Sequence, residues 1–195
     1  MRGPHFRTQR SSVPHLLFAA LAVAGLVCAG WGCRREIPRE DAYDKLVQES
    51  ADRQGISWLL VKAVIKQESD FQSWHVGNAG EIGLMQITSG AVRDWEKATG
   101  AECTFRSMLF DPRLNIEIGT WYLAHGLKEW KDYRDAEVLA LAAYNAGPGQ
   151  ARKWAPDDPR EKAIDNIRFP STKSYIKRVL HHRKSFQEGL SRGPE

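Results

Sequence analysis

Apolar residues recur at helical spacing along most of this chain, and the stretch from Ser57 to Ile87 shows the pattern most usefully. Ser57 is a candidate N-cap, and no Gly or Pro follows until Gly77. Trp58, Val61, Val64, Ile65 and Glu68 then fall on one apolar face. Glu68 is thus a carboxyl group in phase with core residues, near the C-terminal end of its helix. Lost hydration and the negative end of the helix dipole both disfavour its ionised form. A carboxyl group kept protonated near neutral pH is what a general acid requires. The plainer alternative for a Glu at such a phase is a solvated position at the edge of the stripe. The second half of the stretch supplies Gly77, Gly80 and Gly83, which let backbone turn or approach a ligand where a Cβ would clash. Gln86, inside the apolar run Leu84-Met85-Gln86-Ile87, needs a partner in buried backbone or in a substrate.

The same patterning predicts the other elements. Asp41 to Gln54 reads as a helix ending at Gly55 and pairing with the Ser57 helix. Thr88-Ser89 caps a helix to about Thr99, stopped by Gly100, and Gly100 to Phe110 is a connection. Asp111-Pro112 starts a helix to about Trp130, in which Gly119 calls for a close packing neighbour. Asp135 caps a helix through Ala146, ended by Gly147-Pro148-Gly149 through a left-handed residue and a helix breaker. Ala151 to Pro170 reads as a polar loop with a short helix at Pro159 to Ile164. Ser171 caps a last helix carrying Tyr175, Val179, His182 and Phe186, and Gly189 to Glu195 is expected to fray. No period-2 run appears, so the fold class is mainly α: a single helical domain.

The N-terminus changes the picture. Arg2, Arg7 and Arg10 precede an apolar run from Leu16 to Gly30, so residues 1–33 read as a signal or membrane-anchor segment. Lipid attachment at Cys33 is the favoured reading, although Gly30-Trp31-Gly32 matches a lipobox poorly and Cys28 matches no better. An uncleaved anchor from His15 to Cys33 and an ordinary secretory signal stay open. Residues 34–40 then form a tether and residues 41–190 the domain, placed in the periplasm or cell envelope. The 195 residues carry a formal charge of +4, but removing residues 1–32 takes three arginines and no acid, leaving 25 basic against 24 acidic residues. No basic stripe with interleaved aromatics remains to point to nucleic acid. Cys103 is then the one thiol of the domain, expected to be buried and apolar. Metal-ligand spacings are absent, so no metal or other cofactor is expected. His75, His125, His181 and His182 read as surface or packing residues, and most tryptophans as core.

Two motifs add a resemblance. Gln67-Glu68-Ser69 followed by Gly83-Leu84-Met85-Gln86-Ile87, and Ala142-Ala143-Tyr144-Asn145-Ala146-Gly147-Pro148-Gly149, resemble the soluble-type (family 1) lytic transglycosylases. That family is related in fold to goose-type lysozyme. The run Asn115-Ile116-Glu117-Ile118-Gly119-Thr120-Trp121-Tyr122-Leu123 is similar to a third family segment. The resemblance covers about Asp41 to Leu180. It implies a lysozyme-like helical domain with a glycan-binding cleft, acting as a monomer on peptidoglycan strands. It further implies cleavage of the β-1,4 bond between N-acetylmuramic acid and N-acetylglucosamine with formation of a 1,6-anhydro ring. Glu68 would protonate the glycosidic oxygen and then take the proton of the C6 hydroxyl. Gly83, Met85, Gln86, Tyr144, Asn145 and Tyr175 are the implied substrate-binding positions. Two departures stand out: the family often has a sugar-contacting Ser at Gly77, and often a Glu at Ser171.

Most glycosidases set two carboxyl groups across the scissile bond. Asp70 faces away from Glu68 on a helix, and Glu81 in the glycine-rich loop reads as an exposed charge rather than a partner. A goose-type lysozyme-like hydrolase and a non-catalytic peptidoglycan-binding module are the competing functional readings.

Overall fold

The computed structural model describes residues 40–192, and α-helices account for most of them. In chain order these are α1 (Asp44–Gln54), α2 (Trp58–Ser69), α3 (Ser89–Thr99), α4 (Pro112–Glu129), α5 (Ala136–Ala146), α6 (Pro148–Trp154) and α7 (Pro170–Arg192). Two short 3-10 turns lie at Arg106–Phe110 and Ala163–Asp165. The expectations for residues 1–33, Cys28 and Cys33, and for most of the tether, fall outside the described residues. No helix among the described residues is long and apolar enough to cross a membrane.

The helix boundaries follow from local chemistry. Gly55 takes a left-handed conformation and closes α1, its N–H reaching the carbonyls of Ala51 and Asp52. Thr88 caps α3 by accepting the Ala91 N–H, and Asp111 caps α4 by accepting that of Arg113. Ser57 precedes α2 without making a side-chain cap, and the Asp135 carboxylate turns away from α5 to accept the Ala163 N–H at 3.0 Å.

α5 is the central helix. Leu139, Ala140, Leu141, Ala142 and Ala143 are all buried in succession, which is how a helix apolar on every side must sit. It packs against α4, α6 and α7. Each fully buried leucine here contributes about 2 kcal/mol through water exclusion. α7 lies along α2, and α1 bridges α2 and α4. Lys62 of α2 is buried and pairs with Asp44 of α1 at 2.7 Å, so these two helices form the expected pair.

Two stretches differ from expectation. Gly147-Pro148-Gly149 does not open a loop. Gly147 has φ +87°, as a turn glycine should, but its ψ of 151° is not the left-handed helix region, and Pro148 immediately starts α6. A proline in the first turn is pre-set for helix, and Ala151 and Trp154, one turn apart, bury themselves on the core. The last helix begins at Pro170 rather than after Ser171, and it extends past Gly189 to Arg192, the end of the described residues. Cys103 is half-buried, not a core residue. Trp95, Trp130 and Trp154 are core residues, while Trp58 and Trp121 pack at its margin.

Candidate active site

α2 ends at Ser69, and the chain then turns sharply through Asp70 and Phe71, at φ 50° and 62°. Left-handed conformations are costly for non-glycine residues, more so for an aromatic one. Phe71 is 1% exposed, and its burial offsets part of that cost. The turn throws the chain back across the end of α2 as the loop from Val76 to Ile87. Val76 bridges to Ile82, and Ile82 bridges to Ile87, the two isolated β-bridges among the described residues.

Buried polar groups fix this loop. The Asn115 side chain, fully buried in α4, accepts the Met85 N–H at 2.8 Å and donates to the carbonyls of Ile82 and Leu109 at 2.8 and 2.7 Å. The Ser69 hydroxyl donates to the Leu84 carbonyl at 2.8 Å, joining the end of α2 to the loop. Gly83 takes φ +80°, and a Cβ there would run into the Asn115 amide and, at 2.6 Å, the Leu109 carbonyl. Met85 is fully buried, and a Cβ on Gly119 would sit 2.8 Å from its own Cβ and closer still to its sulfur. The close neighbour that Gly119 requires is therefore Met85.

Glu68 stands in the last turn of α2, partly buried beside this loop. The Tyr175 hydroxyl, from the buried face of α7, donates to its Oε1 at 2.7 Å. Loss of hydration drives the Glu68 pKa from 4.5 up to about 7. The Tyr175 hydrogen bond opposes that rise by favouring the ionised form, and the negative charge of Glu81 adds to it. The Tyr144 hydroxyl, from α5, donates to the Met85 carbonyl at 2.8 Å, and the Tyr122 ring meets the Tyr144 ring edge-on at 5.9 Å. Burial, followed by the neighbouring Glu68, holds the pKa of both Tyr144 and Tyr175 well above the usual tyrosine value. Both phenols are therefore proton-bearing donors around a carboxyl group that titrates near neutrality.

The expected site residues divide into three groups. Glu68, Tyr175, Tyr144 and Gln86 come together around the loop. Gln86 finds its partner in backbone, its Nε2 donating to the Gly83 and His75 carbonyls at 2.8 and 3.2 Å. Met85 and Gly83 are floor rather than contact surface: both are buried, and their positions are set by Gly119 and Asn115. Asn145 does not bond to Tyr144. Its Oδ1 accepts the Thr172 hydroxyl at 2.8 Å, tying α5 to α7.

Sequence reasoning missed the roles of Ser69 and Asn115. Asn115 carried a readable signal, a polar amide at helical spacing with Ile118, Gly119 and Tyr122. It also misjudged Glu81, which is half-buried and close enough for its charge to bear on Glu68.

This helical arrangement is the lytic transglycosylase fold. An inactive mutant of the lytic transglycosylase Slt from Pseudomonas aeruginosa superposes with a TM-score of 0.70 at 27% identity, over 92% of this chain and 30% of that one. The Transglycosylase SLT domain family matches residues 45–167, and the chain belongs to that family. The chain is 32% identical over 168 residues to a membrane-bound lytic murein transglycosylase F of Desulfosudis oleivorans, covering 83% of this chain and 35% of that protein. It is 34% identical over 139 residues to a membrane-bound lytic murein transglycosylase C of Pectobacterium atrosepticum, covering 68% of this chain and 39% of that protein. The chain thus spans between a third and two fifths of the length of these curated relatives.

Proposed function

We propose that this protein is a peptidoglycan lytic transglycosylase that cleaves the β-1,4 bond between N-acetylmuramic acid and N-acetylglucosamine and leaves a 1,6-anhydro end. The observation that carries the reading is Glu68: a carboxyl group with a pKa raised to about 7, held by Tyr175 beside a glycine-bearing loop, in a chain of the SLT family. A group that titrates near neutrality can both give and regain a proton at working pH. In the first step Glu68 protonates the glycosidic oxygen as the C1–O bond breaks. In the second the Glu68 carboxylate takes the C6 hydroxyl proton as that oxygen closes on C1. Tyr175 favours the ionised intermediate state of Glu68, and burial favours the protonated resting state, so neither state is a deep trap. Tyr144 holds the Met85 carbonyl and with it the floor of the loop.

The relatives named membrane-bound support an envelope location. We infer the same division as the sequence did: residues 1–33 as signal or anchor with lipid at Cys33, residues 34–40 as tether, and residues 41–190 as a monomeric domain. Recovery of the protein from membranes with a free, unacylated Cys33 thiol, read by mass analysis of its N-terminal peptide, would remove the lipid assignment.

Digestion of purified sacculi with mass analysis of the products tests the reaction. Anhydro ends, lighter by one water than reducing ends, are expected from the parent, and Glu68→Gln should release about a thousandfold less product. Reducing ends alone would mean a hydrolase. Binding to sacculi without turnover would mean a non-catalytic module.

A further inference from the structure

The loop that faces Glu68 carries a carboxylate with no assigned task. Gly77 and Glu81 sit opposite each other at the base of a tight turn: the Gly77 N–H donates to the Glu81 carbonyl at 2.8 Å, and the Gly80 N–H donates to that of Gly77 at 3.0 Å. From there the Glu81 side chain folds back over Gly77, and its Oε2 accepts the Ala79 N–H at 3.2 Å. A Cβ built on Gly77 would land on Glu81 Oε2 and would lie 2.6 Å from Gln86 Oε1. The two oxygens therefore share the space above Gly77.

Both are acceptors. The Gln86 Nε2 is committed to two backbone carbonyls, which fixes the orientation of the amide and turns Oε1 toward Glu81. No Lys or Arg among the described residues pairs with Glu81. The nearby Arg106 guanidinium donates to the Gly80 carbonyl rather than to Glu81. Two half-buried acceptors side by side, with one backbone N–H between them, leave lone pairs without donors. Partly dehydrated acceptors of this kind favour a donor-rich ligand, such as vicinal hydroxyls or the N–H of an acetamido group.

We propose that Glu81 is a substrate-contacting residue of this cleft, its carboxylate accepting hydrogen bonds from hydroxyl or acetamido N–H donors of the sugar bound beside Glu68, from a position over Gly77 that a side chain there would displace. The proposal rests on the reading of the site as a glycan cleft. The carboxylate reaches the space over Gly77 from the opposite side of the same turn. A carboxylate accepts but does not donate, so the subsite selects for donors on the sugar. Its charge has a second effect. The groups that bear on Glu68 are Tyr175 from α7, Tyr144 from α5 and Glu81 from the loop, and of these Glu81 alone contributes a negative charge that helps keep Glu68 protonated.

The test separates binding from chemistry. In a Glu68→Gln background, calorimetry with a purified muropeptide tetrasaccharide should show Glu81→Ala weakening affinity about tenfold, the scale of a lost charge-assisted hydrogen bond. In the Glu68 protein, Gly77→Ser alone should lose about tenfold in kcat/KM because its hydroxymethyl group meets the Glu81 carboxylate. Gly77→Ser with Glu81→Ala should recover activity above either single variant. Glu81→Gln, which keeps shape and removes charge, should move the alkaline limb of the kcat profile to lower pH. Unchanged affinity in Glu81→Ala, or a double variant no better than the singles, overturns the proposal. Circular dichroism of each variant excludes a folding defect, and Glu81→Gln carries the test if Gly77→Ser does not fold. The affinity result is independent of turnover, so a parent that bound glycan through Glu81 but released no anhydro ends would defeat the proposed reaction and leave this inference standing.

Discussion

The Tyr175 hydroxyl donates to Glu68 Oε1 at 2.7 Å across a sequence separation of 107 residues. This bond favours the ionised carboxylate, against the desolvation that favours the acid. Tyr175→Phe should therefore raise the Glu68 pKa further above about 7 and move the alkaline limb of the pH–rate profile to higher pH. The maximal rate should fall about tenfold, because the Glu68 anion of the proposed second step loses its stabiliser. A pH–rate profile on soluble muropeptides checks both. A limb moving to lower pH would mean that the phenol supports the acid form.

Glu68 also links stability to pH. Its folded pKa of about 7 lies above the unfolded value of 4.5, so the native state holds the proton more tightly. That contribution is fully present below about pH 4.5 and is lost as pH rises through 7. Glu68→Gln stays neutral and can still accept from Tyr175. It should be more stable than the parent at pH 8, by up to about 3 kcal/mol, and nearly equal to it at pH 4. Urea unfolding at the two pH values measures the difference.

Two glycines of α4 should respond differently to the same change. Gly119→Ala forces a methyl group into the Met85 side chain and should cost about 1–3 kcal/mol, with loss of activity as the loop shifts. At Gly126 the nearest atoms to an added Cβ belong to Ala140 at 3.4 Å, and the gain in helix propensity offsets the contact. Gly126→Ala should stay within about 1 kcal/mol of the parent. Thermal melts of the pair give the comparison, and equal effects would mean that Met85 yields easily.

Much of this was readable in the sequence because local chemistry and tertiary packing agree. The Thr88 and Asp111 caps, the Gly55 stop and the close contact at Gly119 each follow from one residue's own preference. Glu68 was legible for the same reason, its helical phase and its position in the last turn both pointing toward a dehydrated carboxyl group. The errors lie where the chain's local signals compete. Pro148 reads both as a breaker of the preceding helix and as a first-turn residue of the next, and burial of Ala151 and Trp154 decides for the second. Glu81 is polar and in a turn, which predicts exposure; its folding back over Gly77 depends on a bridge between Val76 and Ile82 that no local pattern announces.

Asn115 is the polar residue with the most to lose. Asn115→Ala leaves the Met85 N–H and the Ile82 and Leu109 carbonyls without their buried partner. The expected cost is about 3 kcal/mol or more, and the loop beside Glu68 should lose hydrogen-exchange protection from Ile82 to Ile87. Exchange measured by mass spectrometry reads this directly, and protection equal to the parent's would show that the bridges and Ser69 suffice.

The distance along the chain between Glu68 and Tyr175 has a consequence for timing. The acid is laid down early and its phenol arrives with α7, the last of the described helices. A partly synthesised chain has the acid without the group that stabilises its anion, and it also lacks the long helix that packs along α2. A chain stopped short of α7 therefore holds Glu68 with neither its phenol partner nor its covering helix, so the near-neutral proton balance of this carboxyl group is a property of the finished fold.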